Sequence, residues 1–368
     1  MVRDHLGALT EMVQLIMDKI FVAIGSYDDK HIVQTVLSAL HNAKTPDNVV
    51  FGIHNIRPND IQFDFSPFEK NVRFLNLPYS SPLGTGYARL SASILCPVDC
   101  NYILQVDAHM VFEKDWDEDI VFRYKEIKKD VDKFIITKYL MQWNEIDGTV
   151  QVLKNGVHEI CDPYNMSKIQ PERNVPASLK YDGIPRSIEC MYPSMIGYVE
   201  KWSDGETYKE QVGVSGHLMF SESSIIKELL YDPLIPWASD ETVYSLRAHT
   251  RGYKIFTIRE NIAWHLDKVI NSEPASRIDF NSYEDPHLKK VSSEYMQSHY
   301  YGFKRIKDLM LGNEYGFWGA PNEDLLLKYH EFAKFDFHEF YRQMAEELYK
   351  TDRLAFDIIY DKMDSWKN

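Results

Sequence analysis

The sequence predicts an α/β fold, a mostly parallel sheet flanked by helices, followed by a helical C-terminal extension. Three observations carry this. The apolar run Ile20-Phe21-Val22-Ala23-Ile24-Gly25 is followed by a segment of helical period and then by a second apolar run, Val49-Val50-Phe51-Gly52-Ile53. Strand, helix, strand at that spacing is a βαβ unit, which requires parallel pairing and a right-handed crossover. A further apolar run, Tyr102-Ile103-Leu104-Gln105-Val106, stops at Asp107-Ala108-His109, as a buried strand does at the sheet edge where open α/β sheets bind ligands. From about Ser282 onward the chain reads as mostly helical and rich in aromatic residues.

Leu9 to Met17 reads as a short amphipathic lead-in, and the first strand ends in the polar turn Ser26-Tyr27-Asp28-Asp29. The next helix carries Ile32, Val33, Val36, Leu37 and Leu40 on one face and is broken by Thr45-Pro46-Asp47-Asn48. Val72 to Leu77 is a strand running into Pro78, and Gly84-Thr85-Gly86 opens a helix through Arg89 to Leu95. A charged helix from Asp115 to Lys129 leads to strand Phe134 to Thr137. Residues 144–211 lose periodicity, a stretch too long for an ordinary connection and expected to be an acceptor-side loop or insertion. Regular order resumes with a glycine-interrupted strand, Val212 to Phe220, and a helix, Ser223 to Leu230. A second helix follows Trp237-Ala238-Ser239-Asp240-Glu241 and stops at Arg251-Gly252 before strand Lys254 to Ile258. The expected division is a domain over 1–270 and a helical region over 271–368.

At 368 residues, with 44% hydrophobic and 26% charged residues, the chain has the composition of a globular protein able to bury a sizeable core. Its formal net charge of -14 argues against coating nucleic acid or an anionic membrane, which takes clustered Lys and Arg, while leaving room for a local basic groove. Cys96, Cys100, Cys161 and Cys190 are scattered and include no C-x-x-C pair, so reduced thiols are expected. Charged residues interrupt Met1 to Ile20, and no apolar run approaches the ~18 residues of a membrane span. A cytoplasmic location with no membrane partner is the expectation.

Asp107 and His109 stand at i and i+2 at the end of a strand, where alternate side chains reach the same side. One carboxylate oxygen and one imidazole nitrogen suit a divalent cation, Mn²⁺ or Mg²⁺. Alone, the same three residues also describe a turn aspartate followed by a surface histidine. In the first of the glycine-containing turns, Gly84-x-Gly86 lacks the third glycine of a dinucleotide fingerprint.

Taken together, the order and spacing of these segments resemble a nucleotide-sugar-dependent glycosyltransferase of the GT-A type, a Rossmann-like fold. The nearest likeness is to the cytoplasmic Skp1 hydroxyproline N-acetylglucosaminyltransferase family, with polypeptide GalNAc-transferases more distant. The resemblance covers Ile20 to Leu266 in pieces and touches the tail at Glu314-Tyr315-Gly316-Phe317 and Tyr329 to Phe337. It implies that Asp107 and His109 hold a metal bridging the diphosphate of a UDP-sugar, with His265, in Ala263-Trp264-His265-Leu266, as third ligand. It further implies that Ser26, Tyr27 and Asp28 cradle uracil and ribose, although a polar strand-to-helix turn is written the same way. Arg89 is implied to face phosphate or an acidic residue near the sugar. Trp237-x-x-Asp240-Glu241-x-x-x-Ser245-x-Arg247 resembles the series beneath the sugar site, Asp240 or Glu241 accepting hydrogen bonds from donor or acceptor hydroxyls. Ser239 or Asp240 as N-cap with Glu241 in the first turn is the other reading. Gly213, Gly216 and His217 look like the small-residue strand lining the sugar pocket.

The resemblance implies a retaining transfer of GlcNAc or a related sugar by front-face attack, with no protein nucleophile assigned. The acceptor is either a hydroxyproline of a cytoplasmic protein or a hydroxymethylated pyrimidine in viral DNA, and net acidity weighs against DNA. Gly319-Ala320-Pro321 stands where that family has a basic residue, which puts the inherited acceptor preference in doubt. Two rivals remain: a non-catalytic sugar-nucleotide-binding module, and a metal-dependent nucleotide-sugar hydrolase. The aromatic tail from Tyr300 to Trp366 packs on the core or on a second subunit as a homodimer, the core being the expected partner.

Overall fold

A computed structural model describes residues 18–27, 29–56, 63–77, 84–152, 159–162, 196–199, 202–235, 240–270, 300–351 and 353–360. The lead-in helix expected at Leu9 to Met17 lies outside the described residues, as do most of 144–211 and all of 271–299.

In chain order the first half comprises β1 (Ile20–Tyr27), α1 (Ile32–Asn42), β2 (Val49–Ile56), β3 (Val72–Leu77), α2 (Thr85–Ser93), β4 (Tyr102–Val106), β5 (Met110–Phe112), α3 (Trp116–Lys128) and β6 (Phe134–Thr137). There follow β7 (Gln142–Ile146), β8 (Thr149–Val152), β9 (Glu159–Asp162), β10 (Ile196–Val199), β11 (Tyr208–Glu210) and β12 (Leu218–Glu222). The remainder is α4 (Asp240–Thr250), β13 (Lys254–Ile258), β14 (Ala263–Ile270), α5 (300–310), α6 (Glu323–Ala333), α7 (Phe337–Thr351) and α8 (Arg353–Ile359).

Eight strands form the main sheet in the order β11-β13-β6-β12-β4-β1-β2-β3. β1 is parallel to both β2 and β4, β3 to β2, and β13 to β6. Phe21, Val22, Ala23 and Ile24 are fully buried, so β1 presents apolar side chains to both faces, as a central strand must. One layer, containing Ile32 and Val36 of α1 and Trp116 and Ile120 of α3, packs on Val22, Ile24, Leu104 and Val106. The opposite layer gathers Ala92, Leu229, Tyr231 and Tyr244 against Phe21, Ala23 and Ile103. β12 runs antiparallel between β4 and β6, the reversal that interrupts an otherwise mostly parallel sheet.

A second sheet, β5-β14-β7-β8, positions the site. β14 pairs antiparallel with β5, setting His265 opposite Met110, and parallel with β7, setting His265 opposite Gln142. The turn between β13 and β14 is gathered by Lys138, whose buried ammonium donates to the carbonyls of Ile258 (2.8 Å), Arg259 (3.1 Å) and Glu260 (2.7 Å). One cation satisfying three carbonyls holds the entry to β14, and with it His265.

Two expectations require correction. The strand expected at Val212 to Phe220 begins only at Leu218, because Ser215 and Leu218 close a tight turn and Thr137 Oγ1 takes the Ser215 amide. The helix expected from Ser223 to Leu230 is a 3₁₀ segment, Ser223–Lys227. Within the aperiodic stretch 144–211, β8 forms a hairpin with β7, β9 and β10 pair with each other, and β11 pairs with the distant β13. The described tail is helical and buries Tyr300, Phe303, Tyr329, Phe335 and Phe337 in one cluster with Val243 and Leu246 of α4. Arg305 anchors it to the core through Asp232, 2.6 Å away. Gly86 is required here: its N–H donates to the Ile235 carbonyl at 3.1 Å, and a Cβ would strike the carbonyl oxygens of Asp232 and Ile235. Among the described residues no helix is long and apolar enough to cross a membrane.

His54, on β2 beside Gly25, is buried against Tyr87 with neither ring nitrogen hydrogen-bonded, and burial pushes it down from 6.5 to about 4. A histidine with a depressed folded pKa contributes its full share of stability above 6.5 and loses it as pH falls toward 4. His54→Phe keeps a ring against Tyr87 and removes the titration. The loss of unfolding free energy between pH 7 and pH 4.5, measured by urea denaturation, is expected to shrink by about 2 kcal/mol; equal losses in both proteins would contradict the assignment.

Candidate active site

The Asp107-Ala108-His109 turn between β4 and β5 is fixed from three sides. Thr35 Oγ1 of α1 donates to the Ala108 carbonyl at 2.7 Å and accepts the Met110 N–H at 2.8 Å. The His109 carbonyl accepts from Trp143 Nε1 of β7 (3.2 Å) and from the Leu266 amide of β14 (3.1 Å). The Ala108 and His109 carbonyls and the Met110 N–H are therefore paired within the protein, and the side chains of Asp107 and His109 start from a tethered backbone.

These side chains meet His265. His109 Nε2 lies 2.9 Å from His265 Nε2, with the ring planes inclined at 70°. His265 Nε2 in turn lies 3.4 Å from Asp107 Oδ2. Ligand atoms around one cation bound at roughly 2.0–2.3 Å sit about 2.9–3.5 Å from each other, so these separations fit a shared divalent ion. A second grouping, Asp107 with His217 and His265, has ligand atoms within 4.8 Å of one another. The His217 and His265 rings, however, are stacked 3.9 Å apart and inclined by only 6°. Asp107 and His265 are common to both groupings, and each grouping offers the mixed O/N donors that suit a divalent ion.

Arg89 supplies the counter-charge. Its Nη1 donates to Asp240 Oδ2 at 2.6 Å and its Nη2 to Asp107 Oδ1 at 3.1 Å, with the guanidinium buried and 5.3 Å from the Tyr231 ring centroid. Burial would raise the Asp107 carboxyl, but its hydrogen bond with His265 and the Arg89 charge outweigh that and hold it well below the usual carboxylate range. Glu241 is the opposite case: burial, and then the charge of Asp240, push it up to about 7. Its Oε1 accepts the Gly216 N–H. The Gly216 carbonyl accepts from Gln105 Nε2 of β4 at 2.7 Å, and Gln105 Oε1 accepts from the Tyr231 hydroxyl at 2.6 Å. Gly216 thus lies against Arg89 and Glu241, where a Cβ would overlap both side-chain ends.

The structure therefore brings together Arg89, Asp107, His109, Gly216, His217, Asp240, Glu241 and His265. His217 sits in a turn rather than in the expected strand, between His265 and the Tyr139 ring at 4.3 Å, and burial lowers it well below 6.5. Ser26, next to last in β1, has its hydroxyl buried and unpaired, opposite Asn55. Asp28, Trp237 and the Tyr27 side chain lie outside the described residues. Arg247 turns away from this cluster: it donates to the carbonyls of Leu230 and Phe317 and stacks against Phe317 and Trp318, clamping the tail. Sequence reasoning missed Asp29, whose Oδ2 lies 2.7 Å from His109 Nδ1. The available signal was a second Asp-x-His, Asp29-Lys30-His31, at the end of the first strand.

Residues 59–316, more than half of the chain, match the profile of the family described as glycosyltransferase (GlcNAc). No curated protein matches the chain in sequence. Among solved structures it is similar to GalNAc-T7 crystallised with UDP, GalNAc and Mn²⁺ (14% identity, TM-score 0.47, 93% of this chain and 58% of that one). It is also similar to S. aureus TarS (13% identity, TM-score 0.36, 90% of this chain and 55% of that one). The chain thus spans little more than half the length of either.

Gly216→Ala places a methyl group against the ends of the Arg89 and Glu241 side chains and displaces the guanidinium from Asp107 and Asp240. Urea denaturation is expected to show a loss of about 1–3 kcal/mol; unchanged stability would contradict the packing described.

Proposed function

The chain belongs to the glycosyltransferase (GlcNAc) family, and from that premise we propose that it transfers GlcNAc or a related sugar from a UDP-sugar to an acceptor hydroxyl with the help of a divalent cation. The observation that carries the reading is the place of His265 beside the carboxyl end of β4, 2.9 Å from His109 and 3.4 Å from Asp107. Open α/β sheets bind ligands at that edge. Mn²⁺ or Mg²⁺ held there would neutralise the charge that grows on a departing diphosphate.

The chain's own residues divide the remaining work. Ser26, Tyr27 and Asp28 are assigned to uracil and ribose at the end of β1, with Asp28 accepting from the uracil imide. Asp240 and Glu241 are assigned to hydroxyls of the donor sugar or the acceptor, and Trp237 and His217 to the walls of the sugar pocket. The glycine at 216 leaves space that a side chain would fill. No carboxylate is assigned as nucleophile. The proposed route is front-face attack with retention, the acceptor hydroxyl passing its proton to a phosphate oxygen, so that protein groups contribute position and charge rather than a covalent bond.

The proposed catalytic unit is a GT-A-type domain over 1–270, with 271–368 as its helical extension, acting in the cytoplasm, where the thiols of Cys96 and Cys100 stay free. Its acceptor is a macromolecule: a hydroxyproline-bearing protein of the kind modified by the Skp1 hydroxyproline transferase family, or hydroxymethylated pyrimidine in DNA.

Incubation with a panel of nucleotide sugars and Mn²⁺ is expected to give slow nucleotide release that quickens with the true acceptor, followed by mass spectrometry of acceptor protein and of hydroxymethylated DNA. Asp107→Ala, His109→Ala and His265→Ala are each expected to lower transfer about 10²- to 10³-fold. Nucleotide release that no acceptor accelerates would instead identify a hydrolase, and donor binding without turnover a binding module.

A further inference from the structure

Outside the residues assigned above, the most connected polar group in the site is a carboxylate with no assigned role. Asp29 follows the end of β1 and accepts through both oxygens: Oδ1 takes the His31 N–H at 2.8 Å, and Oδ2 lies 2.7 Å from His109 Nδ1. The His31 ring lies within 3.3 Å of the same Oδ1 through Nδ1 and reaches Glu145 Oε2 of β7 at 2.5 Å through Nε2. His31 is buried and Asp29 partly buried, with side chains 4% and 12% exposed, which limits the access of water to these contacts. Glu145 lies on β7, the strand paired with β14, which carries His265. The chain Glu145-His31-Asp29-His109 therefore spans from the second sheet to the metal-facing turn.

We propose that Asp29 is a positioning residue of the cation site, fixing His109 in the one tautomer and orientation that turn its Nε2 lone pair toward His265. An ionised carboxylate has no proton to give, so His109 Nδ1 carries the hydrogen of this pair. In a neutral imidazole the other nitrogen is then a bare acceptor. That nitrogen is the Nε2 found 2.9 Å from His265 Nε2. Carboxylates paired to the far nitrogen of metal-binding histidines act in this way in many sites, and their removal costs about 10- to 100-fold in metal affinity. Asp29 does so from the loop that follows β1, with its own orientation set by the backbone of His31.

The inference rests on the cation site proposed above, and Asp29→Asn provides a sharp test of it. An amide has one acceptor oxygen where the carboxylate has two. The His31 backbone N–H cannot reverse its polarity, so the amide oxygen introduced by Asp29→Asn would accept from it and the NH₂ would face His109 Nδ1. That arrangement moves the imidazole proton to Nε2 and blocks the metal-facing nitrogen. Mn²⁺ is titrated into the metal-free full chain, free Mn²⁺ being read by electron paramagnetic resonance, for the wild type, Asp29→Asn, Asp29→Ala and His109→Ala. Thermal melting in chelator provides the folding control. Both Asp29 variants are expected to bind Mn²⁺ about 10- to 100-fold more weakly, and ¹⁵N-histidine spectra of metal-free Asp29→Asn are expected to show His109 protonated at Nε2. Wild-type affinity in a folded Asp29→Asn chain would overturn the inference while leaving the cation site intact, provided His109→Ala still weakens binding. Wild-type affinity in His109→Ala would overturn the site itself.

Discussion

Two carboxylates from distant parts of the chain, the half-buried Asp107 and the buried Asp240, share a single guanidinium, that of Arg89, at 3.1 and 2.6 Å. Such groups are tolerated out of water only when they are paired and fully hydrogen-bonded. The site is arranged accordingly. Gly216 lies where a side chain would displace the guanidinium, Tyr231 covers it, and Gln105 ties the Gly216 carbonyl to β4. The same constraint separates the acidic groups by task. Asp107 keeps its charge beside Arg89 and His265, whereas burial beside Asp240 raises Glu241 to about 7. One carboxylate held ionised and one raised toward neutrality thus stand in the same cluster.

The geometry depends equally on a small second sheet. β5 leaves the Asp107 turn and pairs with β14, which returns from far along the chain and sets His265 opposite Met110. Thr35, Trp143 and Leu266 satisfy the turn's backbone, and Lys138 fastens the approach to β14 through three carbonyls. Each fastening uses buried hydrogen bonds in place of contact area. The imidazoles of His109 and His265 are thus presented at a fixed inclination of 70° before any ligand arrives, so little ordering remains to oppose binding.

What is legible in the sequence follows from the range of the interactions involved. β1, α1, β2 and β4 are readable because they are central elements whose burial is written as continuous or periodic apolar residues. Asp107 and His109 are readable as a pair because two polar side chains stand at strand spacing just beyond such a run. β14 is not: its residues satisfy β5 and β7, and pairing with so distant a segment leaves no local period. Val212 to Gly216 looks like a strand because it alternates small and apolar residues, yet the amides of Val214 and Ser215 go to the hydroxyls of Ser245 and Thr137 instead of to a ladder. Asp29 is hidden by its neighbour Asp28, since two adjacent aspartates at a strand end differ in role only through the direction each side chain takes.

The central claim is that Asp107, His109 and His265, rather than the stacked pair His217 and His265 with Asp107, hold the cation. Crystals grown with UDP and Mn²⁺ and measured at the manganese absorption edge test it directly. The structure predicts a single anomalous peak at roughly 2.0–2.3 Å from an Asp107 carboxylate oxygen and from Nε2 of both His109 and His265. A peak bound by His217 in place of His109, or a UDP complex with no peak at the end of β4, would contradict it.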